Sequence, residues 1–173
     1  MRLIIPILVL AAALAAPPVS AQPPDTDSAI DYSGFVELTA EVASFREARL
    51  LPKEEFLRRA AVEGALILDT RSAEAFAAGH IKGAVNLPFS DFTDEKLKIV
   101  IGKDRSRPIF IYCNNNFSDD AFPVQLKRAP LALNIPTFIN LYGYGYTNIW
   151  ELDGTMRRAD VPWIVQAESS LPE

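Results

Sequence analysis

The segment from Pro108 to Asp120 constrains this chain most. It opens with Ile109-Phe110-Ile111-Tyr112, an apolar run of strand length built from β-branched and aromatic residues. The run breaks at Cys113 and passes through Asn114, Asn115, Asn116 and Phe117 to Ser118-Asp119-Asp120, a helix-start pattern. A second short apolar run, Ala65-Leu66-Ile67-Leu68, has the unbroken hydrophobicity of a strand covered on both faces, and it ends at Asp69-Thr70-Arg71. Open α/β sheets place their polar chemistry at such carboxyl ends. A helix is predicted from Pro52, which suits a first helical position, to its stop at Gly64. Asp91 to Ile101 reads as another helix, closed by Gly102. Ala121 to Ala129 reads as a third, interrupted by Pro130, and Thr137 to Leu141 reads as a strand. Phe35 to Leu51 fits either a strand or a helix. Helices alternating with apolar strands predict an α/β fold around a parallel sheet.

The chain contains one cysteine and one histidine, too few for a zinc or iron–sulfur site, and no cofactor is expected. A sulfur at a strand end, facing a tight loop and a helix start, meets backbone N–H groups that favour thiolate. The plain alternative is a small buried hydrophobe. With a net charge of −5 and no basic tract, a nucleic-acid partner is not expected.

Arg2, the apolar stretch from Leu3 to Ala16, and Val19-Ser20-Ala21 read as a secretory signal over residues 1–21, cleaved before Gln22. The apolar stretch is short for a bilayer span, so no permanent membrane anchor is expected and the mature chain should be periplasmic or secreted. Residues 22–34, rich in Pro, Asp and Ser, read as a flexible lead-in; residues 35–166 form the domain and 167–173 a tail. An exported lone cysteine cannot close an internal disulfide. It is buried, paired with another molecule, or kept as a working thiol.

The run from Asp69 to Pro88, with Asp69-Thr70-Arg71, Glu74, Phe76 and Gly79-His80-Ile81-Lys82-Gly83-Ala84-Val85-Asn86-Leu87-Pro88, closely resembles the signature of rhodanese-like domains. Gly145-Tyr146-Thr147-Asn148-Ile149, leading to Leu152 and Gly154, resembles the late segment of the same family. The resemblance spans roughly residues 50 to 160. It implies a three-layer α/β/α fold with a five-stranded parallel sheet. It also implies that Cys113 is the position that, in active members, takes sulfane sulfur as a persulfide, with Asn114, Asn115, Asn116, Phe117 and Ser118 as the surrounding substrate loop. By the same resemblance His80 packs in a turn away from the chemistry, while Asp69 and Arg71 tie the strand end to neighbouring loops.

The loop departs from the family pattern. Asn114 and Phe117 stand where a basic residue is usual and Asn116 where glycine is usual; only Ser118 agrees. Asn tolerates the left-handed backbone, so loop shape is expected to survive at Asn116 while the charge does not. Asp119 and Asp120 would oppose an anionic donor such as thiosulfate. Six positions after Cys113 stands Asp119 rather than the arginine that a Cys-x5-Arg phosphatase requires. The resulting expectation is sulfur transfer on Cys113 between a small-molecule donor and a thiol acceptor. One alternative is a catalytically silent domain that recognises a ligand or a protein partner in the same compartment through this loop and the aromatics Phe117, Tyr142, Tyr144 and Tyr146. Another is a redox partner that forms a mixed disulfide.

Overall fold

A computed structural model describes residues 29–119 and 126–165; the expected signal segment, the tail from 167 on and most of the expected helix at 121–129 lie outside the described residues. Asp31 accepts the Gly34 N–H at 2.8 Å and caps α1 (Tyr32–Glu47), so the first helix starts within the stretch read as lead-in. There follow β1 (Leu50–Leu51), α2 (Lys53–Ala60), β2 (Leu66–Asp69), α3 (Ala73–Ala78), β3 (His80–Ile81) and β4 (Val85–Asn86). The chain continues through α4 (Asp94–Val100), β5 (Ile109–Tyr112), α5 (Asn134–Gly143), β6 (Ile149–Leu152) and β7 (Trp163–Ile164). No helix among the described residues is long and apolar enough to cross a membrane.

The sheet has five strands in the order β1-β6-β5-β2-β4, all parallel. Period-two alternation divides its side chains between two cores. Leu66, Leu68, Ile109, Ile111 and Ile149 pack with Val42 of α1, Leu97 of α4, and Phe138 and Leu141 of α5. Ile67, Phe110, Tyr112 and Leu152 face the other way, onto Phe56 of α2, Ile81 and Val161. Both faces are therefore covered, which is why these strands are apolar at every position. This is the α/β/α arrangement with a five-stranded parallel sheet. The short antiparallel pair β3–β7 closes one side of the second layer.

One sequence expectation is corrected. Thr137 to Leu141 is not a strand but the middle of α5, and Pro136 sits in the first turn of that helix, where its missing N–H costs nothing. Its apolar residues bury because α5 lies against both β5 and α1, not because it joins the sheet. The helix start read at Ser118-Asp119-Asp120 leads into residues 120–125, outside the described ones, and Ser118 itself bonds to the segment after β6. Its N–H donates to the Met156 carbonyl at 2.9 Å, and Phe117 forms a parallel bridge with Met156.

Candidate functional site

Parallel strands deliver their carboxyl ends to one edge, so Asp69-Thr70-Arg71 after β2 and Cys113 after β5 become neighbours, with Asp69 opposite Tyr112 in the register. At the β2 end the bonding is ionic and closed. The Asp69 carboxylate accepts from Arg71 Nη2 at 2.7 Å, from Arg71 Nε at 3.0 and 3.1 Å, from the Arg71 N–H at 3.0 Å and from the Tyr112 hydroxyl at 2.6 Å. Arg71 also donates to the Gly79 carbonyl at 2.7 Å, fastening the turn after α3. Both side chains are buried. Burial pushes the Tyr112 hydroxyl well above the ordinary phenol range, and the Asp69 charge adds to the shift. His80 packs in this turn as expected: Nδ1 lies 2.8 Å from the Phe76 carbonyl and the ring stacks on Phe76 at 3.6 Å.

The β5 end is built from neutral amides. Cys113 is 1% exposed. Residues Asn114–Asn116 form one 3₁₀ turn, and the Asn116 side chain bridges it: Oδ1 accepts the Cys113 N–H at 2.9 Å, while Nδ2 donates to the carbonyls of Leu152 and Gly154 at 2.9 and 3.0 Å. No non-glycine residue among those described has a positive φ, so Asn116 does not replace glycine by adopting its backbone. It replaces it by cross-linking the loop to the end of β6. Asn115 exchanges two bonds with the Lys127 backbone, at 2.7 and 3.1 Å, and so ties the turn to the chain twelve residues on.

A cavity of about 240 Å³ reaches Cys113 and is bordered by Asn115, Asn116, Arg46, Asn134, Glu151 and Asp153, among others. Burial pushes the Cys113 thiol pKa up; the N–H groups of Asn134, Asn115 and Leu133 pull it down, and the Glu151 charge raises it again. The sulfur therefore meets the N-terminus of a helix, that of α5, and the net direction opposes the thiolate expected from the sequence. Asn114 lines the neighbouring cleft of about 610 Å³, with Arg71, Ser72, Phe89, Lys127 and Leu133.

The remaining loop residues point elsewhere. Phe117 is fully buried, edge-on to Tyr112 and Trp163, and Ser118 is exposed beside Met156. The aromatics considered for recognition are not gathered there either. Tyr146 is buried in the core that α1, α4 and α5 cover, and Tyr142 bonds Glu41 at 2.5 Å and packs on Phe45. A ten-residue helix is about 15 Å long, which separates Tyr142 and Tyr144 from the Cys113 end.

Sequence reading missed four polar side chains of this cavity that bear on its charge and bonding: Arg46, Asn134, Glu151 and Asp153. Arg46, from α1, donates to Glu151 through Nε at 2.5 Å and Nη2 at 2.6 Å. Asn134 Nδ2 donates to Glu151 Oε1 at 3.1 Å and to Asn116 Oδ1 at 3.3 Å, while Asn134 Oδ1 is buried with no partner. Glu151 was legible in principle: a carboxylate inside the otherwise apolar Ile149–Leu152 strand needs a buried cation, which points to a site or an ion pair.

Comparison with known proteins fits this geometry. The model of the rhodanese-like domain matches residues 53–158. A thiosulfate sulfurtransferase of Pseudomonas putida, GlpE, is 28% identical over 108 residues, which cover 62% of this chain and 81% of that protein. The Bacillus subtilis protein YqhL is 37% identical over 89 residues, covering 50% of this chain and 66% of its own. The crystal structure of BH2092 from Bacillus halodurans shares the fold with a TM-score of 0.52 at 16% identity, covering 73% of this chain and 85% of that one. With a family match over most of the described residues and a five-stranded parallel sheet covered by helices on both faces, this chain belongs to the rhodanese-like domain family.

Proposed function

We propose that the protein is a sulfurtransferase that carries sulfane sulfur as a persulfide on Cys113, received from a donor other than thiosulfate. One observation carries the reading: the Cys113 sulfur ends β5 at a cavity, with the N–H groups of Asn115, Leu133 and Asn134 turned toward it. In the reaction the thiolate attacks the outer sulfur of the donor. A new S–S bond forms as the donor's bond breaks, and the leaving group takes the electron pair. A thiol acceptor then removes the outer sulfur and restores the thiolate. The three N–H groups would stabilise the persulfide anion as an oxyanion hole stabilises oxygen. The sulfurtransferase relatives support the reaction class, and the loss of every basic residue from the loop supports a different donor. Export, with the mature chain starting at Gln22, belongs to the same proposal. The mass of the protein recovered from the producing cells' periplasm or medium tests it.

Intact mass after exposure to thiosulfate, mercaptopyruvate and an organic persulfide tests the activity. We expect a gain of one sulfur atom that cyanide removes and that Cys113→Ser never shows. No gain with any donor, while a thiol reagent still modifies Cys113, would overturn it. The second reading, a silent binding domain, is favoured by the burial of Cys113 and the upward shift of its thiol. Under it, Cys113→Ser leaves ligand or partner binding intact.

A further inference from the structure

The sequence removes the cations that follow the cysteine in the family pattern, yet a cation reaches the Cys113 cavity from another element. Arg46 lies in α1, before the residues 53–158 that match the family model. It does not act as a free positive charge. Two of its nitrogens are held by Glu151, and the Asp153 carboxylate also acts on it. Glu151 stands opposite Ile111 in the β5–β6 register, and Cys113 lies two residues beyond Ile111, on the same face of the sheet. Its carboxylate borders the same cavity as Cys113, its charge acts on the thiol, and Arg46 and Asn134 hold it in place. Among the described residues, the charged groups lining the cavity are Arg46, Glu151 and Asp153, which leaves it with one net negative charge.

We propose that Glu151 is the donor-specificity residue of the Cys113 site: by neutralising Arg46 it excludes anionic sulfur donors and admits donors whose sulfur-bearing group is uncharged. This rests on the sulfurtransferase reading and names its substrate class. In a thiosulfate reaction the Cys113 thiolate bonds to the outer sulfur, the S–S bond breaks, sulfite leaves with the electron pair and Cys113 becomes a persulfide. With a neutral organic trisulfide attacked at its central sulfur, a thiolate leaves and Cys113 carries a mixed trisulfide, from which a second thiol releases the persulfide. The first path brings two negative charges against Glu151 and Asp153. The second brings none.

Iodoacetamide and iodoacetate test the charge rule without any sulfur chemistry, because they differ by one negative charge at nearly equal size. Their alkylation rates at Cys113 should favour iodoacetamide in the wild-type protein by more than they do for a free thiol. Glu151→Gln keeps an acceptor for Arg46 and Asn134 but removes the charge, and Asp153→Asn changes an exposed side chain. Each should narrow the ratio, Glu151→Gln by about tenfold and Asp153→Asn by less, with the gap closing in high salt. Glu151→Gln should also gain thiosulfate-dependent sulfur loading. A ratio unchanged in both variants would overturn the proposal. If the ratio moves as expected but no donor loads sulfur, the charge rule stands and sulfur transfer fails. If thiosulfate and a trisulfide load the wild type equally, sulfur transfer stands and the donor class fails.

Discussion

The carboxyl ends of β2 and β5 lie side by side in one sheet and are made from opposite kinds of bond. At β2 a buried carboxylate and a buried guanidinium satisfy each other, and the surplus lone pairs and N–H groups go to Tyr112 and Gly79. At β5 the turn is bridged by asparagine amides that reach the Arg46–Glu151 pair through Asn134, the sulfur meets backbone N–H groups, and one buried amide oxygen, Asn134 Oδ1, has no partner. A closed ionic cluster costs desolvation and in return fixes geometry. An amide network with an open acceptor, tied to charge only through Asn134 and Glu151, holds its shape less tightly. The difference teaches that residues strongly marked in a sequence signature can serve the frame: Asp69 and Arg71 hold it, and Cys113, the sulfur carrier we propose, lies outside that signature.

The comparison breaks most visibly at Asp69. Asp69→Ala leaves the Arg71 charge buried without its partner and also strips the Tyr112 hydroxyl of its acceptor. We expect a loss of about 3–5 kcal/mol in urea unfolding, enough to unfold a marginal domain. Asn116→Ala at the β5 end removes four hydrogen bonds, to Cys113, Leu152, Gly154 and Asn134, but exposes no unpaired charge; the expected loss is about 2–3 kcal/mol. If Asn116→Ala proved costlier than Asp69→Ala, the neutral network would be the structural one and the assignment of roles would reverse. A smaller effect belongs to the cap that links the two ends to the cleft between them. Ser72 accepts the Ala75 N–H at 3.2 Å, and Ser72→Ala should cost about 1 kcal/mol in the same unfolding measurement.

Much of the frame was legible from residues because its signals are local. Continuous apolar runs at 66–68 and 109–112 are imposed by burial on both faces, and the Asp69-to-Pro88 signature marks turns whose bonds lie within a few residues of one another. The cavity was not legible, because its walls come from positions far apart in the chain. Arg46 and Glu151 are 105 residues apart, and neither carries a local pattern that names the other. The misread at 137–141 has a similar cause. β-branched and aromatic residues suit a strand as well as a helix buried between a sheet and α1, and only Pro136 carried the helical signal. For Asn116, residue type suggested backbone conformation, whereas its function in the fold is to bridge Cys113 and β6.

The smallest expected effect lies at Cys113 itself and separates the two ends most finely. Burial raises the pKa of this thiol in the folded protein. In the ordinary thiol range, around pH 8.5, the unfolded chain therefore loses its proton while the folded chain keeps it. The native state then binds more protons than the unfolded one, so stability from this group is complete below that range and declines as pH rises toward the folded pKa. Under reducing conditions, urea midpoints at pH 7 and pH 9.5 should differ more for the wild type than for Cys113→Ala, in which the other titrating groups remain and cancel in the comparison. An equal difference in the two proteins would mean that the N–H groups of Asn115, Leu133 and Asn134 match the cost of burial. A reversed difference would mean that they exceed it. The β5 end would then hold a thiolate at rest, and its neutral network would be as fully matched to a charge as the Asp69 cluster is.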